Sequence, residues 1–232
     1  MNKIFLLFVF FVFSSNSLAL KPYKATYALN ITSDIGSLKV GSADFKLELG
    51  DNNEFTFSSQ SYTDSIWKKL YNYTRYEKSI GLISNNAVNG MLYDVVEIEK
   101  DDVTKNNKIL INHSEGYAIL NNENKWNTTS DYILDELNVY LALAEDLYIN
   151  EEQEELSYQV IDEKGIQLIT FVYAGTETIT IENVSIESIK FHSPELKITI
   201  NVSKQYDFIP VIINRNSSGN NFKLVLTKYI PS

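Results

Sequence analysis

The chain has 232 residues, 44% of them hydrophobic and 22% charged, with a net charge of −10 and no cysteine. That is enough apolar material to bury a core, so the chain is not disordered as a whole. The acidic balance argues against nucleic acid as a partner, because phosphate contacts need clustered Lys and Arg. The missing cysteine removes disulfides, thiolate zinc sites and Cys nucleophiles.

Residues 1–19 read as a secretory signal peptide. Lys3 supplies the positive start, Ile4 to Phe13 an apolar run too short to span a bilayer, and Ser17-Leu18-Ala19 the small residues expected at a cut after Ala19. No Cys follows that could carry a lipid. The mature chain, 20–232, is therefore expected to be one β-rich domain without a transmembrane segment.

Period-two alternation then dominates. Tyr23, Ala25, Tyr27, Leu29 and Ile31 share one strand face, and Ala43, Phe45, Leu47 and Leu49 share the next. Gly50-Asp51-Asn52-Asn53 turns that strand into Phe55 and Phe57, a hairpin signal. Ile198, Ile200 and Val202, and later Phe222, Leu224 and Leu226, repeat the pattern. Turn residues at Asn89-Gly90, Asp101-Asp102, Glu163-Lys164-Gly165 and Ser217-Ser218-Gly219-Asn220 punctuate the strands. One wet and one dry face per strand favours antiparallel pairing. Asn-X-Ser/Thr triplets such as Asn30-Ile31-Thr32 fall inside strand-like runs and read as composition.

One segment departs from this pattern. Ile133, Leu134, Leu137, Tyr140, Leu141, Ala144, Leu147 and Tyr148 form an apolar helical stripe, so an amphipathic helix is expected over about 131–149. Ser130 or Asp131 would cap its start and Asn150 would end it. A polar stretch, 121–130, precedes it and the acidic run Glu151, Glu152, Glu154 and Glu155 follows. The expected fold is mainly β: a single antiparallel, strongly curved sheet or open barrel with this helix packed on it as a plug or lid.

The search for chemistry is mostly negative. His113 and His192 lack a nucleophile-elbow motif and read as exposed turn histidines. Acidic runs lack calcium-loop spacing, and the nine glycines form no phosphate loop, so no metal, cofactor or catalytic residue is expected. Asp131, Asp135 and Glu136 are the carboxylates a glycan-cleaving enzyme would use, but a helix N-terminus explains acids there more simply. Tyr62, Trp67, Tyr71, Tyr73 and Tyr76, with Lys68, Lys69 and Arg75, concentrate rings that could line an apolar or sugar-binding groove or simply fill a sheet core. The helix, the uneven strands and the end Tyr229-Ile230-Pro231-Ser232 argue against an outer-membrane barrel.

The order of several motifs resembles a family of exported bacterial proteins known as domain of unknown function 3108. The motifs are Tyr23-Lys24-Ala25-Thr26-Tyr27 with Gly41-Ser42-Ala43, then the segment from Leu134 to Leu141. Tyr173-Ala174-Gly175-Thr176-Glu177-Thr178-Ile179 and Asp207-Phe208-Ile209-Pro210-Val211 follow. The resemblance implies a periplasmic, β-rich protein and brings no catalytic residue. A curved sheet closed by a helix leaves a concave apolar interior, which makes a non-catalytic periplasmic binding or carrier module for a lipid-like or apolar ligand the leading expectation. The alternative is a filled-core protein that engages an envelope protein partner.

Overall fold

The computed structural model describes residues 20–33, 36–84, 86–128, 132–181, 183–217 and 220–232. The expected leader at 1–19 lies outside them, as do Ser130, Asp131, Ser218 and Gly219. The first eight strands are β1 (Tyr23–Ser33), β2 (Gly36–Leu49), β3 (Glu54–Thr63), β4 (Tyr73–Ser84), β5 (Ala87–Glu99), β6 (Asp102–Asn112), β7 (Tyr117–Leu120) and β8 (Asn124–Asn127). The chain continues through β9 (Leu134–Asp135), α1 (Val139–Ile149), β10 (Glu155–Asp162), β11 (Gly165–Ile181), β12 (Val184–Ser193), β13 (Ile198–Val202), β14 (Pro210–Ser217) and β15 (Asn220–Pro231).

All fifteen strands join one sheet in the order β8-β7-β6-β5-β4-β3-β2-β1-β15-β14-β13-β12-β11-β10-β9. Every pairing is antiparallel except the short β9–β10 pair. The expected alternation holds where it was clearest: Tyr23, Ala25, Tyr27, Ala43, Phe45, Leu47, Ile198, Ile200 and Val202 are all buried. Their rings form a connected interior layer. Tyr27 meets Phe45 edge-on at 5.1 Å, Phe45 meets Phe57 at 5.9 Å and Tyr23 meets Phe57 at 6.1 Å.

Among the described residues β8 and β9 do not pair with each other, so the curled sheet is open in its backbone. The edge carrying β9 instead folds inward onto β5, the fourth strand from the opposite edge. Gly90 N–H on β5 donates to Ile133 O at 3.0 Å, and α1 packs against β5 and β10. Side chains bridge the outer seam: Glu163, in the β10–β11 turn, pairs with Lys105 and accepts from Asn107 Nδ2 at 3.3 Å.

Three sequence expectations change. Asn89-Gly90 is not a turn but part of β5, where a Cβ on Gly90 would lie 2.8 Å from Asn138 Nδ2 and 3.1 Å from Ile133 O. Glycine is needed there for close approach, not for turning. The helix begins at Val139 rather than near Asp131, because the preceding backbone is committed elsewhere. Leu134 and Asp135 pair with Val160 and Ile161, and Asp135 Oδ1 accepts the N–H groups of Leu137 and Asn138. Nor is the helix two-faced: Val139, Leu141, Ala142, Leu143, Ala144, Glu145 and Leu147 are buried, which makes it a plug surrounded by sheet. Asn150 ends it, as expected.

Gly90→Ala is expected to cost about 1–3 kcal/mol, the usual cost of overpacking a close contact. Urea unfolding of the two proteins compared at one pH measures it.

Candidate functional site

Two polar constellations lie back to back across β3, β4 and β5. The inner one is centred on Arg75. Its guanidinium pairs with Glu97, bonds Glu77 Oε1 at 2.8 Å, reaches Glu136 Oε2 at 3.7 Å and donates to Tyr93 Oη at 3.2 Å. Tyr93 O–H donates to Glu77 Oε1 at 2.6 Å, and Ser59 O–H donates to Glu77 Oε2 at 3.0 Å. Burial alone would raise the Glu77 carboxyl, but the hydrogen bonds and charge of Arg75, with help from Tyr93 and Ser59, hold it below the usual range. Glu136 goes the other way, because burial outweighs the attraction of Arg75.

Beside this cluster stands Asp135, fully buried on β9. Ser79 O–H donates to its Oδ2 at 2.6 Å, and its Oδ1 takes the backbone N–H groups of Leu137 at 2.9 Å and Asn138 at 2.8 Å. Asn138 returns two bonds, accepting from Asp135 N–H at 2.8 Å and donating to Ser79 Oγ at 3.0 Å. Burial pushes the Asp135 carboxyl up to about 7, against the lowering pull of those hydrogen bonds. Two bonds to Ser79 Oγ fasten the inward edge of the sheet to β4, and the other three hold the turn that presents them. The chemistry of the trio is that of a latch.

The outer constellation is a groove of about 580 Å³ across β15, β1, β2, β3, β4 and β5. Strand register sets its walls. One cross-strand row runs Ile230, Lys24, Lys46, Ser58, Lys78, Asp94; the next runs Lys228, Thr26, Asp44, Gln60, Tyr76, Val96. The floor is the backbone of Ala25, Phe45, Ser59 and Glu77, whose side chains point into the interior. Five strand spacings make the rows about 24 Å long. Lys24 and Lys46 stand directly opposite each other, a like-charge pair that costs stability. Lys46 is relieved by Glu48 at 2.5 Å, while Lys24, Lys78 and Lys228 form no ion pair among the described residues. Asp44 is occupied by Thr26 O–H at 2.7 Å.

The sequence matches no protein family and no curated protein. The fold has a solved counterpart. It is similar to the crystal structure of a β-barrel-like protein of domain of unknown function 1849 from Brucella abortus, with a TM-score of 0.60 and 9% identity. The similarity covers 93% of this chain and 100% of that one. At that identity the likeness is one of fold, a β-barrel-like curled sheet.

The residues singled out in the sequence scatter. Asp135 and Glu136 come close to one another but serve the latch and the Arg75 cluster respectively; Asp131 lies outside the described residues. His192 is exposed, as expected, but lies in β12 and not in a turn, and His113 is half-buried with its Nε2 2.7 Å from Gly90 O, where it supports the edge contact. Of the aromatic segment, Tyr76 lines the groove, Tyr73 turns inward beside Arg75, and Trp67 and Tyr71 leave the sheet in the β3–β4 loop. Among the described residues no group of three or more His, Asp or Glu is placed to hold a metal, and no helix is long and apolar enough to cross a membrane. Sequence reasoning missed the lysine rows. Lys24, Lys46, Lys78 and Lys228 are far apart in the chain, and only the register brings them together.

The latch makes a pH prediction. Native Asp135 keeps its proton up to about pH 7, whereas the unfolded side chain releases it near 3.8. The native state therefore binds the extra proton between those values, and this contribution to stability is lost as pH rises from about 4 to 7. Asp135→Asn removes it, so the stability advantage of the wild type over the variant should shrink across that range by roughly 2–4 kcal/mol. Chemical denaturation at a series of pH values reads the difference directly, and a constant difference would show that Asp135 is already ionised at low pH.

Proposed function

We propose that the protein is a non-catalytic binding module of the periplasm, which takes an amphipathic, lipid-like ligand in the outer groove. The observation that carries this reading is the lysine-lined groove itself. A chain of net charge −10 places four lysines on one patch of sheet, two of them directly opposite each other. Local rules broken at a cost in stability tend to mark functional sites. The groove has the volume of a small-molecule site. Its lining suits a ligand with both apolar and anionic parts: Tyr76, Val96, Ile230 and the lysine methylenes offer apolar surface, and the ammonium groups offer charge.

The site differs from the hollow interior expected of a carrier, because α1 and the rings of Phe55, Phe57, Tyr93, Phe171 and Phe191 occupy the inside of the sheet. The same filled interior favours a second reading, in which the groove takes a segment of an envelope protein. The periplasmic address rests on the expected leader and on the resemblance to domain of unknown function 3108.

Native mass spectrometry of protein purified gently from its own host separates these readings. The expected result is a released amphiphile on the wild type and at least a ~10-fold loss of occupancy in a Lys24→Glu, Lys78→Glu, Lys228→Glu variant. Only the bare protein mass at low collision energy, with a known lipid carrier as control, would overturn the small-ligand reading and make crosslinking to envelope proteins the deciding measurement.

A further inference from the structure

We propose that the loop between β3 and β4, residues 64–72, is a membrane-docking element: Ile66, Trp67, Leu70 and Tyr71 enter the interfacial layer of a lipid bilayer. Ile66 is 79% exposed and Leu70 75%, the two most exposed large apolar residues among those described, and Tyr71 adds 48%. Single exposed apolar residues are ordinary, but three within six positions, with half-buried Trp67 among them, are a patch.

The loop is not a slack tether. Trp67 and Lys68 N–H groups donate to Asp64 O at 2.9 and 3.2 Å, and Leu70 and Tyr71 N–H groups to Trp67 O at 2.9 Å each. These bonds wind the loop into a helix-like turn. Residues 66, 67, 70 and 71 then share one side, and Lys68 and Lys69 take the other. Its root is fixed by Lys100 N–H to Asn72 O at 2.8 Å, by Asn72 Nδ2 to Asp101 at 3.0 Å, and by Tyr71 stacked on Tyr73 at 5.9 Å. The backbone thus holds Ile66 and Leu70 outward into solvent, with half-exposed Tyr71 and half-buried Trp67 beside them.

What covers them follows from size and chemistry. A stable protein interface needs some 20–30 residues a side, and this tip offers nine. Trp and Tyr beside Ile and Leu, with Lys stems able to reach back to the headgroups, is the chemistry of an interfacial anchor. Charge does not select the lipid: Lys68, Lys69 and Lys100 are offset by Glu99, Asp101 and Asp102 in the adjoining hairpin, so insertion is driven by the apolar side chains and takes neutral headgroups. Other exposed apolar residues sit on the same rim, namely Leu38 near the start of β2, Val103 near the start of β6 and Phe222 near the start of β15. Tyr76, in the binding groove, is four residues from the loop root, about 13 Å along β4. Docking would hold that groove close to the bilayer, although the docking itself does not depend on what the groove binds.

The test uses residues 20–232, which supply every described element, and vesicles of phosphatidylcholine. The expected result is co-sedimentation with the vesicles, a blue shift of tryptophan emission and quenching by brominated phosphatidylcholine. Trp67→Phe should abolish the shift and the quenching, because Trp126 lies at the sheet seam. Ile66→Asp with Leu70→Asp should cut partitioning at least ~10-fold with an unchanged melting temperature. Binding that is absent with phosphatidylcholine, quenching that survives Trp67→Phe, or partitioning that is unchanged in the double Asp variant would each overturn the proposal. So would binding that needs phosphatidylglycerol and vanishes only in Lys68→Gln, Lys69→Gln. Self-association without vesicle binding, abolished by the double Asp variant, would assign the loop to a second copy of the chain instead.

Discussion

A sheet of fifteen strands that does not close on itself has to dispose of its edges, and the fastening of β9 against β5 is the constraint on which the rest of this structure depends. Three residues from two distant parts of the chain make it: Ser79 on β4, with Asp135 and Asn138 at the entrance to α1. Gly90 permits the approach by lacking a side chain, and its N–H closes on Ile133 O. With the edge held there, α1 has only the interior to enter, and its apolar side chains from Val139 to Leu147 are covered there, leaving Tyr148 and Ile149 exposed at its end. A buried edge strand has no free ladder to offer another chain, which removes the usual hazard of an open sheet at this edge; the other edge is β8, short and polar.

The inner charge cluster follows from the same geometry. Folding β9 inward brings Glu136 against Arg75 on β4, where Glu77 and Glu97 already stand. One guanidinium serving three carboxylates is costly to bury, and removing one partner of such a set leaves charge uncompensated. It binds β4 and β5 together through side chains at the place where, on the opposite face, the same strands form the groove. The strands that present Tyr76, Lys78, Asp94 and Val96 outward are braced from within, so the groove floor is rigid and its lysine spacing is fixed by the ladder.

How much of this could be read from the chain depends on the range of the interactions. Alternation in β1, β2, β13 and the hairpin at Asp51–Asn53 is local and was legible, as were the turns at Asp101 and Gly165 and the end of the helix at Asn150. The start of the helix was not, because its apolar stripe continues back through Ile133 and Leu134 although those residues are pulled into extended backbone by Gly90 and Val160. Asn89-Gly90 carries a turn signature, yet glycine there answers a contact 43 residues ahead. β8 is too polar to announce itself; Trp126, its one apolar residue, packs near Gly165 at the seam. Of the candidate site, the aromatic segment flagged Tyr76 and Trp67, but the lysine rows are a property of register, which no local pattern encodes.

The first and last strands, β1 and β15, meet in the middle of the sheet. β1 pairs with β15 along its whole length, from Tyr23 opposite Pro231 to Thr32 opposite Asn221, while each remaining strand up to β8 or back to β10 pairs with a sequence neighbour. The order of assembly follows. Two meanders form from local hairpins, one on each side of the latch in sequence, and the central β1–β15 ladder that unites them joins residues some 201 positions apart, as at Thr26 and Thr227. Loop-closure entropy makes that final pairing the slow step. Until it is made, the edges of β1 and β14 and the apolar faces on either side of them are uncovered, so the nascent protein is most exposed to wrong partners at its centre, the region that becomes its groove.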